Sequence, residues 1–285
     1  MRIVMSENNN LLKLRKITKV FSKGTIDKVT ALDKINLDVN AEDYIAIIGS
    51  NGAGKTTLLN IIAGVFPPEN GGNIIVNDKE ISGLSEYRRA HYVGRVYQDP
   101  HIGTAAKMSI EENMAMALLR GQPRRLRSAS NKQRRELFHA ALAPLGLGLE
   151  NRLSALVGTL SGGQRQALAL VMATLSKPAI LLLDEHVATL DPRTAQIVLD
   201  LTEILVKREK ITTIMVTHNM EVALRYGNRL IMMHKGRIVV DINQQQKANL
   251  SINDLVVAFE RASGEEFVDD TVLLRPGNVV GTSDL

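Results

Sequence analysis

Residues 44–64 read YIAIIGSNGAGKTTLLNIIAG. The apolar run 44–48 predicts a buried strand, and the spacing of apolar residues over 55–64 predicts a helix. Between them, residues 49–56 match the Walker A pattern G-x-x-x-x-G-K-T in the strand–loop–helix setting that this motif requires. Its glycines let backbone N–H groups turn toward a phosphate, and the helix N-terminus adds the positive end of its dipole. The sequence therefore predicts a phosphate-binding loop on an α/β sheet.

The side chains of this loop have distinct predicted tasks. Lys55 is expected to reach the β- and γ-phosphates of a nucleotide, and the Thr56 hydroxyl to ligate Mg²⁺. A chance match in a chain of this length has odds of roughly one in a hundred on average residue usage, and the setting lowers them further. The predicted nucleotide contacts are Gly49, Ser50, Asn51, Gly52, Ala53, Gly54, Lys55, Thr56 and Thr57.

A second apolar run, residues 180–183, ends abruptly in the two carboxylates Asp184 and Glu185. Leucines suit a strand that is buried on both faces, and α/β sheets bind ligands at the carboxyl ends of their strands. We expect Asp184 to hold Mg²⁺ and Glu185 to act as the general base on an attacking water. A plain strand end has the same pattern, and it is the neighbouring phosphate loop that favours a Walker B site.

Residues 160–164 read LSGGQ and open a predicted helix, which makes a second glycine-lined helix N-terminus. One triphosphate does not need two such anion-binding sites. The second one therefore predicts a second nucleotide or a second subunit. A loop in which Ser161 merely caps the helix is the alternative when the motif is taken alone.

Together these motifs resemble those of the ATP-binding subunits of ABC transporters, over about residues 11–240. The resemblance implies an α/β fold, the P-loop NTPase ABC ATPase core with an antiparallel β subdomain and a helical insertion. It also implies a head-to-tail dimer in which the LSGGQ signature of one subunit closes on the nucleotide of the other. On this basis the nucleotide contacts extend to Ser161, Gly162, Gly163 and Gln164, and to Asp191 in the D-loop 189–191.

Three more site residues follow from the resemblance. Gln98 matches the Q-loop glutamine, which links Mg²⁺ and the water to the helical insertion. His218 matches the switch histidine that contacts the γ-phosphate. Phe21 stands where the family places an aromatic ring against adenine, and a core aromatic is an equal alternative. The chain departs from the family at His186-Val187, where Pro-Thr is usual; neither position is required for phosphate chemistry.

Residues 98–115, 150–175 and 181–192 resemble one subgroup, the bacterial ABC ATPases encoded with a periplasmic-type binding protein and an amino-acid or sugar permease. This resemblance implies import, with aromatic amino acids among the suggested cargoes. The implied partners are a second ATP-binding subunit in a homodimer, transmembrane permease subunits and an extracytoplasmic substrate-binding protein. The implied location is peripheral, at the cytoplasmic face of the cell (inner) membrane.

The composition and the motif content of the chain bear on the competing functional classes. Aromatic residues make up 4% of the chain and tryptophan is absent, which argues against stacking platforms for single-stranded nucleic acid. A soluble ABC ATPase acting on DNA or ribosomes is disfavoured, because there is no heptad run and only one Walker A and one LSGGQ occur. No nucleic-acid partner is expected. Export or lipid extraction stays open, since the cassette is nearly the same for both directions.

The chain divides into three predicted parts. Residues 1–10 are expected to be a disordered lead-in, and 11–245 the ABC ATP-binding domain with a helical subdomain inserted at about 100–165. Residues 246–285 form a C-terminal extension of unclear order. The densest basic run, 120–135, is interpreted as a solvated surface or as a contact with lipid headgroups or a membrane partner. No apolar run is long enough to cross a bilayer.

Overall fold

The computed structural model describes residues 10–69, 71–120 and 131–264. The strands are β1 (Asn10–Phe21), β2 (Val29–Asn40), β3 (Tyr44–Ile48), β4 (Asn73–Val76), β5 (Lys79–Glu80), β6 (Val93–Val96), β7 (Ile180–Asp184), β8 (Thr212–Val216), β9 (Arg229–His234) and β10 (Arg237–Ile242). The helices are α1 (Lys55–Ala63), α2 (Glu86–Arg89), α3 (Ile110–Leu118), α4 (Lys132–Leu142), α5 (Gly162–Thr174), α6 (Pro192–Glu209), α7 (Met220–Arg225), α8 (Gln244–Lys247) and α9 (Ile252–Ser263). Short 3₁₀ turns lie at Ala143–Leu145, Leu149–Asn151 and Val157–Thr159.

The central sheet has the strand order β10-β9-β3-β8-β7-β6. Its neighbours pair in parallel except for β10, which returns antiparallel beside β9. Along β3, Ile45 and Ile47 pack into one core, whereas Tyr44, Ala46 and Ile48 pack into a second core on the opposite face. Side chains alternate between the two faces of a strand, so a strand covered on both faces reads as a continuous apolar run. This confirms the α/β class and the buried strands predicted from the sequence.

A second sheet is antiparallel and has the order β2-β1-β4-β5. Its apolar face shares a core with α1 and with one face of the central sheet. The turn between β4 and β5 places Asn77 and Asp78 at φ of 49° and 58°, the left-handed conformation that these residue types tolerate in tight hairpins. The antiparallel β subdomain implied by the family resemblance is therefore present.

A helical region follows β6 and has its own core. Apolar side chains of α3, α4 and α5 meet there, with Phe138 and Leu142 of α4 fully buried. The Ser109 and Ser161 caps at the starts of α3 and α5 each form a capping box with the residue three positions later. Helix α4 ends at Leu142, because Pro144 cannot continue an α-helix and a 3₁₀ turn takes over.

The sequence leaves the order of the C-terminal extension open, and the structure shows that α9 packs on the core. Leu255 and Phe259, one turn apart on α9, are buried against the face of the central sheet that also contacts α5, α6 and α7.

The predicted lead-in lies outside the described residues apart from Asn10, which begins β1. Arg124, Arg125 and Arg127 of the basic run, and residues 265–285, also lie outside them. Within the described ranges, no helix has the length and apolar character needed to cross a membrane.

Candidate nucleotide site

The predicted site residues converge at the carboxyl ends of three adjacent strands. The loop 49–54 follows β3, Thr217 and His218 follow β8, and Glu185 follows β7. Because β8 pairs in parallel with both β3 and β7, these three chain segments leave the sheet at the same edge. The topology alone therefore brings the Walker A and Walker B residues together.

The phosphate loop requires glycine at both of its ends. A Cβ on Gly49 would lie 2.1 Å from the backbone oxygen of Met233, and one on Gly54 would lie 2.3 Å from that of Ala31. Gly54 also has φ of 97°, which side-chain-bearing residues rarely adopt. Between these anchors, Asn51 and Gly52 are exposed. The loop is thus a fixed turn that presents its tip to solvent.

Lys55, the first residue of α1, folds back over this loop. Its Nζ donates to the backbone oxygen of Gly49 at 2.6 Å and to that of Ser50 at 3.1 Å. Burial lowers the pKa of this ammonium, and the carboxylates of Glu185 and Asp184 oppose that shift. A partly desolvated cation beside exposed loop residues is suited to bind phosphate oxygens.

Thr56 and Asp184 form the candidate metal site. Thr56 Oγ1 donates to Asp184 Oδ1 at 3.1 Å, and both groups offer the hard oxygen atoms that Mg²⁺ prefers. Among the described residues, no group of three or more His, Cys, Asp or Glu could hold a metal ion. This sparse set of ligands fits an ion that arrives with nucleotide phosphates.

The sequence reasoning missed Arg95, which lies on β6. Its Nη2 donates to Asp184 Oδ2 at 2.9 Å, and its Nη1 donates to Asn60 Oδ1 on α1 at 2.6 Å. A signal for this contact exists in the sequence. An arginine inside the short apolar strand VGRV needs a buried partner, because an unpaired buried charge is costly.

Glu185 and His218 lie in contact, at 3.4 Å between Oε2 and Nδ1. Glu185 has φ of 45°, an uncommon conformation for a residue with a side chain, and its N–H donates to the backbone oxygen of Val216 on β8. The hydrogen bond from His218 lowers the pKa of the Glu185 carboxyl, and burial opposes this shift. An ionised carboxylate is the form that can accept a proton from water.

A cavity of about 400 Å³ opens beside this pair, and His186 forms part of its wall. His186 is fully buried, and its Nε2 lies 3.2 Å from Thr202 Oγ1 on α6. Burial lowers the pKa of its imidazole to about 4. The unusual His186 is therefore a neutral packing residue that ties the end of β7 to α6.

The signature residues lie at the N-terminus of α5, next to α6. In the described part of the chain, no hydrogen bond joins residues 161–164 to residues 49–57. Ser161 caps α5 by accepting from the Gln164 N–H at 3.3 Å, and Asp191 caps α6 by accepting from the Thr194 N–H at 3.1 Å. Gly163 faces Thr194, which places the signature beside the D-loop.

Two other predicted residues lie at the edges of the site. Gln98 is exposed, and its backbone oxygen accepts a hydrogen bond from Thr189 Oγ1 at 3.4 Å, which joins the Q-loop to the D-loop. Phe21 packs edge-on against Phe66 with ring centroids 5.5 Å apart, and Lys19 Nζ lies 5.6 Å from the centre of its ring. These contacts are compatible with both interpretations of Phe21, adenine stacking and core packing.

Comparisons with known proteins agree with this fold. The family model "ABC transporter" matches residues 32–188. A "Tyrosine transport ATP-binding protein" of Clostridioides difficile is 41% identical over 252 residues, covering 88% of this chain and 100% of the relative. A "Lipoprotein-releasing system ATP-binding protein LolD" of Rickettsia felis is 39% identical over 80% of this chain and 97% of its own length. The dimeric structure of the ATP-binding cassette MJ0796, in a post-hydrolysis state bound to ADP and Pi, is 26% identical with a TM-score of 0.69, covering 82% of this chain and 98% of that one.

Proposed function

Because the chain belongs to the ABC transporter family as an ATP-binding subunit, and is an ABC ATPase, we propose that its ATP hydrolysis drives the import of amino acids, the aromatic ones in particular. The observation that carries the proposal is the 41% identity to the tyrosine transport ATP-binding protein over the whole of that relative. The aligned region spans 88% of this chain and therefore extends well beyond the phosphate-binding motifs. Shared ATPase motifs alone would not give an alignment of that length.

Each proposed catalytic role follows from a contact in the site. The Lys55 ammonium binds the β- and γ-phosphates, for which its partly desolvated charge is suited. Thr56 and Asp184 would hold Mg²⁺, which supplies charge neutralisation to the phosphates when it is bound. Glu185 accepts a proton from the attacking water, and His218 keeps that carboxylate ionised and oriented.

The proposed working unit is a head-to-tail homodimer. Within the part of the chain that the structure describes, no hydrogen bond joins residues 161–164 to the phosphate loop, and the N-terminus of α5 at Ser161 is exposed. We propose that Ser161 and Gly163 bind the nucleotide held by the other copy, with Asp191 and Gln98 at the same interface. The dimeric MJ0796 cassette supports this arrangement. Permease subunits and an extracytoplasmic binding protein complete the proposed transporter, at the cytoplasmic face of the membrane.

A second candidate function is lipoprotein release, because the LolD relative is 39% identical. That relative aligns with 80% of this chain, whereas the tyrosine transport protein aligns with 88%. The additional coverage favours import.

The experiment that tests the proposal is purification of the tagged chain from detergent-solubilised membranes, with mass spectrometry of the proteins that copurify. We expect a multi-spanning permease and an extracytoplasmic binding protein. The complex is then reconstituted, and its ATPase rate is measured with the binding protein plus tyrosine, methionine or no amino acid. Stimulation by tyrosine supports the aromatic cargo, and stimulation by methionine alone changes the cargo. Copurification of lipoproteins, or of ribosomes without a membrane protein, would overturn import.

A further inference from the structure

A buried arginine occupies one oxygen of the carboxylate that would hold Mg²⁺. Asp184 Oδ2 accepts from Arg95 Nη2 at 2.9 Å, while Asp184 Oδ1 accepts from Thr56 Oγ1 at 3.1 Å. Only 9% of the Arg95 side chain and 10% of the Asp184 side chain are exposed. Both carboxylate oxygens are thus engaged by the protein itself.

Two more contacts fix the guanidinium in place. Arg95 Nη1 donates to Asn60 Oδ1 on α1 at 2.6 Å, and the guanidinium carbon lies 4.5 Å from the centre of the Tyr97 ring. The planar fork of arginine can make these contacts at once, which a lysine ammonium cannot. These contacts place the positive charge of Arg95 beside the Asp184 carboxylate.

We propose that Arg95 is a built-in counter-ion that keeps the Mg²⁺ affinity of the nucleotide-free protein low, so that the ion binds only together with nucleotide phosphates. The inference rests on the proposed roles of Thr56 and Asp184. A fixed positive charge one carboxylate away from a divalent ion weakens its binding by about tenfold even at the dielectric constant of water. In the ranges that the structure describes, no group of three or more His, Cys, Asp or Glu offers the ion another site.

The functional consequence is that the site binds the metal ion only when a nucleotide is present. With Asp184 neutralised by Arg95, the protein alone presents little net negative charge to a cation. The phosphate oxygens of a bound nucleotide restore that charge, and Lys55 on the adjacent loop holds those phosphates in position. Arg95 is therefore a positioning residue that acts through Asp184, and its effect is on metal affinity.

Two substitutions separate the effect of the Arg95 charge from the effect of its hydrogen-bonding geometry. Arg95→Gln removes the charge and keeps a hydrogen-bond donor, whereas Arg95→Lys keeps the charge and loses the fork. Mn²⁺ binding to the purified full chain is measured by electron paramagnetic resonance, with and without a non-hydrolysable ATP analogue. Without nucleotide, we expect Arg95→Gln to bind Mn²⁺ about tenfold more tightly than the wild type, and Arg95→Lys to stay near the wild-type value. With the analogue present, the difference between the proteins shrinks.

Unchanged Mn²⁺ affinity in Arg95→Gln would overturn the proposal. Equal changes in both variants would also overturn it, since the lost fork and not the charge would then be the cause. If Arg95→Gln does not fold, Arg95→Met repeats the loss of charge with an apolar stem. Asp184→Asn separates this inference from the proposed function. If metal binding in the presence of the analogue survives that change, the metal role of Asp184 is itself wrong, whatever the Arg95 variants do.

Discussion

Replacing the buried His186 by glutamine tests whether one neutral imidazole sets the acid stability of this protein. His186 is 1% exposed, and its Nε2 lies 3.2 Å from Thr202 Oγ1. That hydroxyl donates its own hydrogen to the backbone oxygen of Val198 at 2.7 Å. The hydroxyl can therefore only accept from His186, which fixes the Nε2–H tautomer of an uncharged ring. A glutamine amide can donate to the same oxygen and does not titrate.

The magnitude follows from the two pKa values of this imidazole. Burial lowers the pKa of His186 from 6.5 to about 4 in the folded protein. The unfolded chain therefore binds the proton more tightly, so stability is complete above pH 6.5 and is lost as the pH falls toward 4. Between pH 7 and pH 5, this one group lowers the free energy of unfolding by about 2 kcal/mol.

The assay is urea unfolding of the nucleotide-free wild type and of His186→Gln at pH 7, 6 and 5. We expect the wild type to lose about 2 kcal/mol more than the variant over this range, so the difference between them shrinks as the pH falls. His91→Gln, which removes an exposed histidine, is the matched control. If the difference in the free energy of unfolding between wild type and His186→Gln is the same at all three pH values, the His186 imidazole does not set the acid stability.

Three other changes test the site and its support. Glu185→Gln should leave ATP binding intact and lower the ATP turnover rate at least ~100-fold, which is the low end of the effect of losing a general base. An unchanged turnover rate would contradict the general-base role of Glu185. In Gly163→Ala the new Cβ would lie 2.1 Å from Thr194 Cγ2, and we expect the free energy of unfolding to fall by about 1–3 kcal/mol. Thr194→Ser removes that methyl group and should restore the stability; no rescue would show that the clash is not the cause. Tyr226→Phe removes a hydroxyl that donates to Asp200 at 2.7 Å, which should cost about 1–2 kcal/mol in urea unfolding, and a cost near zero would count against this bond.

The sequence predicted those parts of the fold that depend on local patterns. The strand Tyr44–Ile48 and the helix after it follow from apolar spacing and from glycines that nothing else can replace. The convergence of Asp184 and His218 on the phosphate loop follows from strand ends meeting at one edge of a parallel sheet. The roles of individual side chains in ATP hydrolysis remain predictions.

Contacts that depend on tertiary packing were not predictable from local patterns. The pairing of Arg95 with Asp184 joins residues 89 positions apart on neighbouring strands, and the sequence shows only an arginine in an apolar run. The docking of α9 through Leu255 and Phe259 is another case. An amphipathic segment shows that one face will be buried, but it does not show which surface will cover it.

The contacts of Arg95 also connect the helical region to the candidate metal site within one chain. On α5, directly after the signature, Gln166 Nε2 donates to the backbone oxygen of Tyr97 at 3.0 Å. The Tyr97 ring lies under the guanidinium of Arg95, which holds Asp184. Gln166, Tyr97 and Arg95 thus form a continuous series of contacts from α5 to the Asp184 carboxylate. The signature helix and the carboxylate of the phosphate site are therefore parts of one packed unit, joined through residues that no phosphate motif includes.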